Sequence, residues 1–347
     1  MKIELIHKFG DVVSIENLLE AWKEFVVGKK NRKDVQKFSL YLMDNIFDLH
    51  FDLANLTYKH SDYQAFRIND PKPRKINKAT VKDRVLHHAV FRALYPIFDR
   101  SFIVDSYSCR NYKGTHKAIN RLRQFAFKVS QNNTQNCFVL QCDIKKFFDS
   151  IDHKILFALL KKKIQDERVL WLLKEIINSF VVSQDKGLPL GNITSQLFAN
   201  VYLNEFDQFI KHKLRLKYYI RYCDDFIVLA ENEKFLENLI PQISSFLKKQ
   251  LRLTLHQQKT KIKKYHQGID FLGYVSFPHH RILRVKTKKR MFAKLKIKQV
   301  QMKKGEISKD SFNQSLQSYL GILKHCNGYK LKNLLLQGLK HSDNMNE

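Results

Sequence analysis

Two adjacent carboxylates, Asp224 and Asp225, stand inside RYCDDFIVL (221–229), a stretch whose other residues read as buried β-structure. Aspartate is among the poorest strand formers, and neighbouring strand residues point to opposite faces, so one of the pair must face the core side. A hairpin turn would ease that conflict, because aspartate is a common turn residue and YYIRYC and FIVLA make two strands around it. The alternative is that the turn holds carboxylates against a divalent cation, which calls for a third carboxylate from elsewhere in the chain. LQCDIKKFFDSIDH offers one: Asp143 ends an apolar strand and can lie beside the Asp224 hairpin in one sheet. Three clustered anions without a cation repel one another and raise a pKa, so the cost to the strands is offset only when metal binds.

The totals bound what can position such a cluster. At 347 residues the chain accommodates two or three structural units and a sizeable core. A hydrophobic share of 44%, with 26 Phe, excludes a disordered polymer. Lys and Arg number 62 against 33 Asp and Glu, a net charge of +29 that favours a polyanionic partner, nucleic acid first. Lys2, Glu4 and Lys8 interrupt any signal core at the amino terminus, and no run approaches the roughly 20 apolar residues of a membrane span. The expectation is a cytoplasmic protein without a membrane partner. Five cysteines (Cys109, Cys137, Cys142, Cys223, Cys326) form no C-x-x-C pair and read as reduced thiols, not as a zinc site or disulfide framework. The histidine pairs His87-His88 and His279-His280 lack a metal-binding pattern.

Along the chain, SIENLLEAWKEFV and VQKFSLYLMDNIFDLHFDLANL carry helical patterning over about 14–57, the first opened by Ser14. The prolines of FRINDPKPRKI exclude a helix and favour an extended hairpin. From 137 onward strand and helix alternate. CFVLQCDI reads as a buried strand, HKILFALLKKKI and DERVLWLLKEIINSF as helices, and ITSQLFANVYLNEFDQFI as a further helix after the Gly/Pro break at KGLPLGN. The YYIRYCDDFIVLA hairpin follows, then an amphipathic helix with Leu236, Leu239, Ile243 and Leu247 on one side, then short strands at LRLTLH and DFLGYVSF. This order predicts an α+β fold, a sheet with helices packed on one face. Residues 285–347 hold 14 Lys or Arg against 4 Asp or Glu and read as a basic, mostly helical module.

CDIKKFFDSID, GLPLGNITSQLFAN, YCDD and FLGY occur in the order and at the separations of a reverse transcriptase palm, and the chain resembles that family from PKPRKI through the carboxy-terminal helices. The resemblance implies a right-hand polymerase fold. Residues 1–130 would form amino-terminal helices and fingers with some palm, 131–278 an antiparallel palm sheet backed by helices, and 279–347 a short basic thumb that follows the duplex backbone. It implies two Mg2+ ions, with Mn2+ as a substitute, bridged by Asp143 and Asp224, with Ile144 among the metal-binding residues and Asp225 as a weaker ligand. Such ions supply the charge stabilisation and in-line positioning that phosphoryl transfer requires. Lys72 and Arg74 match basic fingers residues that grip the triphosphate, the Arg fork suiting phosphate. Arg84 matches another nucleotide-side arginine, with a structural ion pair as the alternative. Ile144 to Phe148, including Phe147, would offer backbone N–H groups to the triphosphate. Phe148 matches the aromatic that blocks a ribose 2′-hydroxyl, which makes DNA the product; an ordinary core Phe is the alternative. Lys259 matches a lysine that protonates the leaving pyrophosphate as a general acid, with a solvated lysine as the alternative. Phe271, Leu272, Gly273 and Tyr274 resemble a primer-grip hairpin.

LPLGNITSQ departs from the commoner form of its motif: Leu190 stands before Gly191 where most relatives carry Gln, and Ser195-Gln196 replaces Ser-Pro. That form is similar to the reverse transcriptases of diversity-generating retroelements. The resemblance implies copying of a template-repeat RNA from a DNA or RNA primer and deoxynucleoside triphosphates into cDNA mutagenised opposite adenine, with a small basic accessory protein, in a bacterial, archaeal or phage-encoded setting. Leu190 can only pack where Gln can hydrogen-bond the nucleotide, a loss worth about 1 to 3 kcal/mol of discrimination. No room is expected after the thumb for an endonuclease, integrase or RNase H unit, so integration would depend on other factors. The alternatives are a stand-alone group II intron-like or phage-defence reverse transcriptase, and a non-catalytic RNA-binding, maturase-like protein. Intact Asp143, Asp224 and Asp225 count against the last, since an idle palm has no need of their mutual repulsion.

Overall fold

The computed structural model describes residues 8–69 and 73–343, with side chains up to 337. Four helices open the chain: α1 (Phe9–Val13), α2 (Ile15–Val26), α3 (Lys33–Leu40) and α4 (Leu42–Ala54). Ser14 caps α2 by accepting from the Asn17 N–H, and Leu18, Ala21, Trp22 and Phe25 recur at helical spacing to form its buried stripe. An antiparallel hairpin follows, β1 (Gln64–Ile68) paired with β2 (Arg74–Lys78), as the prolines between them predict. The long α5 (Val81–Asp99), capped by Thr80, is buried on several sides and packs against α2 and α10 (Ile193–Gln208). Between them lie α6 (Thr115–Val129), β3 (Phe138–Asp143), the single turn α7 (Phe147–Ser150), α8 (His153–Lys161) and α9 (Glu167–Asn178). The chain continues through β4 (Tyr219–Tyr222), β5 (Asp225–Ala230), α11 (Glu233–Leu251) and β6 (Lys261–Lys264). It closes with β7 (Ile269–Phe271), β8 (Tyr274–Ser276), β9 (Arg281–Leu283), α12 (Val285–Lys303), α13 (Lys309–Leu323) and α14 (Tyr329–Asp343).

The main sheet is antiparallel in the order β4-β5-β3-β6, and Ser106 adds a parallel bridge to Arg221 on the outer side of β4. Strand alternation splits β3 between two cores. Phe138, Leu140 and Cys142 join Phe226 and Val228 in a cluster shared with α8, α9, α10 and α11, whereas Val139, Ile227 and Leu229 join Leu122, Phe125, Ile269 and Tyr274 in a second cluster. The expectation of helices on one face is therefore corrected. α6, β7–β9 and the carboxy-terminal helices cover the other, because Val139 of β3, Ile220 of β4 and Ile227 and Leu229 of β5 present apolar side chains there.

LRLTLH is a second correction. Arg252 takes a left-handed φ of 52° at the end of α11, and Leu253 and Leu255 are buried from irregular backbone, with Leu255 making one isolated bridge to Ile144. The strand beside β3 is instead KIKK, the β6 segment, whose cationic side chains disguise it. β7 to β9 form a separate three-stranded sheet, and β9 had no sequence signal of its own. The last three helices bear out the basic helical module.

Candidate active site

Asp143 and Asp225 are direct cross-strand partners of β3 and β5. Tyr222 pairs with Asp225, so Cys223 and Asp224 form the two-residue turn of the β4–β5 hairpin, with Cys223 at φ 56°. The hairpin-turn reading of RYCDDFIVL is realised: Asp224 is the turn residue that keeps a carboxylate out of the strand, and Asp225 starts β5 opposite Asp143. The Asp143 and Asp225 carboxyl groups are within hydrogen-bonding reach of each other. Burial, the Asp224 charge and Asp143 push Asp225 up to about 7, and burial followed by Asp143 raises Asp224 as well. The Lys259 ammonium pulls both in the opposite direction without cancelling the rise.

Lys259, in a turn at Gln257–Lys259, donates its ammonium to Asp143 Oδ2 at 2.8 Å. Asp143, Asp225, Lys259, Lys261, Asp270, Leu272 and Arg284 line a cleft of about 160 Å3 between the main sheet and the β7–β8 turn. Leu272 (φ 52°) and Gly273 (φ 89°) make that two-residue turn, both left-handed, as a tight hairpin requires. The Gln141 amide donates to the Asp270 carbonyl at 2.9 Å and the Arg284 N–H to the Gly273 carbonyl at 3.0 Å, fixing the turn over β3. Phe271 and Tyr274 are buried beneath it, the Tyr274 hydroxyl donating to the Ile322 carbonyl.

The family model described as reverse transcriptase (RNA-dependent DNA polymerase) matches residues 65–276, well over half of the chain and all of this site's carboxylates. The chain belongs to the reverse transcriptase family. It is 25% identical over 255 residues to protein YkfC of Escherichia coli strain K12, a match covering 62% of this chain and 65% of that protein. It is 24% identical over 274 residues to the group II intron-encoded protein LtrA of Lactococcus lactis subsp. cremoris, covering 59% and 45%. The chain therefore spans less than two thirds of the length of these relatives. Apo telomerase from Candida tropicalis, truncated from its C-terminal domain, is 12% identical with a TM-score of 0.48, over 70% of this chain and 60% of that one.

Other expected residues of this reverse transcriptase family member sort by position. Lys72 lies outside the described residues. Arg74 is exposed at the start of β2. Arg84 donates to Asp34 at 2.6 Å and lies 4.8 Å from the centroid of Phe25, so its guanidinium is held by the amino-terminal helices as the structural ion pair. Phe147 is buried, with the partly buried Phe148 edge-on at 5.3 Å. The Lys145 N–H already donates to the Thr254 carbonyl, so the expected run of free amides from Ile144 to Phe148 is interrupted at its second member. Leu190 accepts from the Asn77 N–H at 3.3 Å, which ties the β2 hairpin to the loop before α10. Gly191 needs its lack of a side chain there: φ is 119°, and a Cβ would stand 3.2 Å from Ile76 Cγ2. Gln196 is exposed on the first turn of α10.

Sequence reasoning missed the support of the turn. Arg221 is fully buried and grips Asp207 of α10 with Nε to Oδ1 at 2.8 Å and Nη2 to Oδ2 at 2.6 Å. Its Nη1 donates to Asn200 Oδ1 and to the Cys223 carbonyl, both at 3.2 Å, so the cation holds the backbone one residue before Asp224. Burial opposes the Arg221 charge, and Asp207 more than offsets it. The signal was available: an arginine inside an apolar strand is as costly as the aspartates that drew notice, and it calls for a buried acid.

The five thiols are free, and burial pushes Cys137 and Cys142 up to about 12, in keeping with inert reduced cysteines. Among the described residues no helix is long and apolar enough to cross a membrane.

Proposed function

We propose that this chain is an RNA-directed DNA polymerase whose Asp143, Asp224 and Asp225 hold divalent cations, magnesium with manganese as a substitute. The observation that carries the reading is the cross-strand Asp143–Asp225 pair beside Asp224, two of the three carboxyls pushed upward by burial and by each other's charge. Hard oxygen donors with excess negative charge fit a hard dication. Among the described residues no three such side chains are already gathered round one point. When bound, the cations stabilise the charge of the transferring phosphoryl group. The chain's own residues do the rest. Arg74 on β2 would meet the triphosphate, Lys259 would act as general acid toward pyrophosphate, Phe148 would crowd a 2′-hydroxyl, and the Phe271–Tyr274 turn would seat the primer end. Residues 1–130, 131–278 and 279–347 would act as fingers, palm and thumb, with template RNA, a DNA or RNA primer and deoxynucleotides as substrates. Primer extension on an RNA template tests this. Asp224→Asn should lose at least a thousandfold in rate with Mg2+, and a variant that keeps full activity would refute it.

Within that activity we infer a diversity-generating retroelement enzyme working with a basic accessory protein, supported by Leu190-Gly191 and Ser195-Gln196. The likeness to LtrA favours a second reading, a group II intron-like reverse transcriptase. Sequencing cDNA made by the wild-type chain and by Leu190→Gln separates them: the first reading expects wild-type errors concentrated opposite adenine, the second expects no such excess, and an adenine excess unchanged in Leu190→Gln refutes the Leu190 account.

A further inference from the structure

Remote from the acid cluster, the loop leading into β4 (214–218), the end of β5 and the start of α11 flank an open cleft of about 650 Å3. Asp225 and Ala230 stand at opposite ends of β5, about 17 Å apart at the rise of an extended strand. The buried Leu216, Val228 and Leu229 are the apolar part of its lining. Arg215, Lys217 and Lys234 line the walls against a single acid, Glu231, and all three cations are exposed. Two rings stand among them. Phe235 is 46% exposed, and Tyr218 is braced edge-on by Phe125 at 5.3 Å with the Lys217 ammonium 5.7 Å from its centroid.

The backbone that presents these groups is irregular. α10 runs into a π-helical turn at Phe209–Lys213, and Arg215 then takes a left-handed φ of 53°. Both features are uncommon and concentrate at functional sites. They are locked in place: the Leu214 N–H donates to the Phe209 carbonyl, the Leu216 N–H to the Ile210 carbonyl, and the Lys211 ammonium to the Lys217 carbonyl at 2.9 Å. The consequence is that Leu216 turns inward while Arg215 and Lys217 on either side point to solvent.

We propose that this cleft binds single-stranded RNA, a base stacking on Tyr218 and Phe235 while Arg215, Lys217 and Lys234 meet the flanking phosphates. Its volume suits one nucleotide unit. Cations interleaved with aromatic faces are the recognition chemistry of single strands, in which every base offers a flat face and every linkage a charge. An acidic peptide would satisfy the cations and leave the rings without a flat partner. The cleft is thus a second RNA contact, away from the carboxylates; that the RNA is the template rests on the polymerase reading.

The test uses the full chain and a fluorescein-labelled 20-nucleotide uridine RNA, followed by anisotropy with a saturating short RNA–DNA hybrid filling the acid-cluster cleft. The double variant Lys217→Glu/Lys234→Glu should weaken binding at least tenfold and flatten the log–log salt slope by roughly 1.4, the release expected of two phosphate contacts. Phe235→Ala, which removes an exposed ring and no charge, should weaken binding about five- to a hundredfold at every salt concentration. Extension of the short hybrid should stay at the wild-type rate in both variants. RNA affinity unchanged in both overturns the proposal. A wild-type chain that binds the RNA in this salt- and Phe235-dependent way yet extends no primer upholds the cleft and refutes the polymerase reading, so the two failures are distinct.

Discussion

Replacing Asp207 by Asn leaves the Arg221 guanidinium at the centre of the protein without its counter-charge. Both side chains are 0% exposed, two hydrogen bonds join them, and the Tyr219 hydroxyl donates a third to Asp207 Oδ1 at 2.7 Å. An uncompensated buried cation costs about 3 to 5 kcal/mol. The folded form should therefore lose that much in urea unfolding of Asp207→Asn, with Arg221→Met in a similar range. The double variant Asp207→Leu/Arg221→Met removes both charges, and apolar replacement of a buried pair is often neutral or stabilising. It should recover most of the lost stability, giving a coupling of at least 2 kcal/mol in the double-mutant cycle. Primer extension should behave differently. Arg221 Nη1 is a donor to the Cys223 carbonyl, and neither Leu nor Met replaces it, so the turn carrying Asp224 is left without this tether. The double variant should be stable and at least tenfold slower, with a raised Mg2+ requirement. Asp207→Asn costing under 1 kcal/mol would refute the buried-charge argument, and a double variant with wild-type turnover would refute the positioning argument.

Acidification should weaken the fold through His87. Burial, with the neighbouring His60 and His88, lowers its pKa to about 3, while Asp83 works in the opposite direction. A depressed histidine contributes stability that is complete above its unfolded value of about 6.5 and is lost as the pH falls toward the folded one. Between pH 7 and 5 that amounts to at most about 2 kcal/mol, and His87→Gln should flatten this part of the urea-stability profile; an equally steep profile in the variant would refute it. Gly191→Ala should cost about 1 to 2 kcal/mol from the left-handed φ and displace Ile76 of β2. Its KM for deoxynucleotides should rise several-fold, and unchanged kinetics would show that the β2–Leu190 tie does not position substrate.

Much of this site was legible in one dimension. Asp143, Asp224 and Asp225 declare themselves by being charged where the surrounding residues are apolar, and the prolines of NDPKPRK mark the β1–β2 hairpin because they can neither donate nor continue a helix. The repeat of Leu236, Leu239, Ile243 and Leu247 marks the buried face of α11 as observed. Local chemistry writes these signals, so they survive without neighbours. Arg221 was equally conspicuous, yet its partner was not: Asp207 lies 14 residues away on a helix buried on nearly every side, where no amphipathic stripe says which residue faces what. Only packing decided that Arg84 turns to Asp34, that KIKK and not LRLTLH continues the sheet, and that both faces of β3 are covered. The physical reason is that residue type records the cost of an environment, whereas the partner that offsets the cost is chosen by chain segments distant in sequence, whose meeting depends on how the whole core closes.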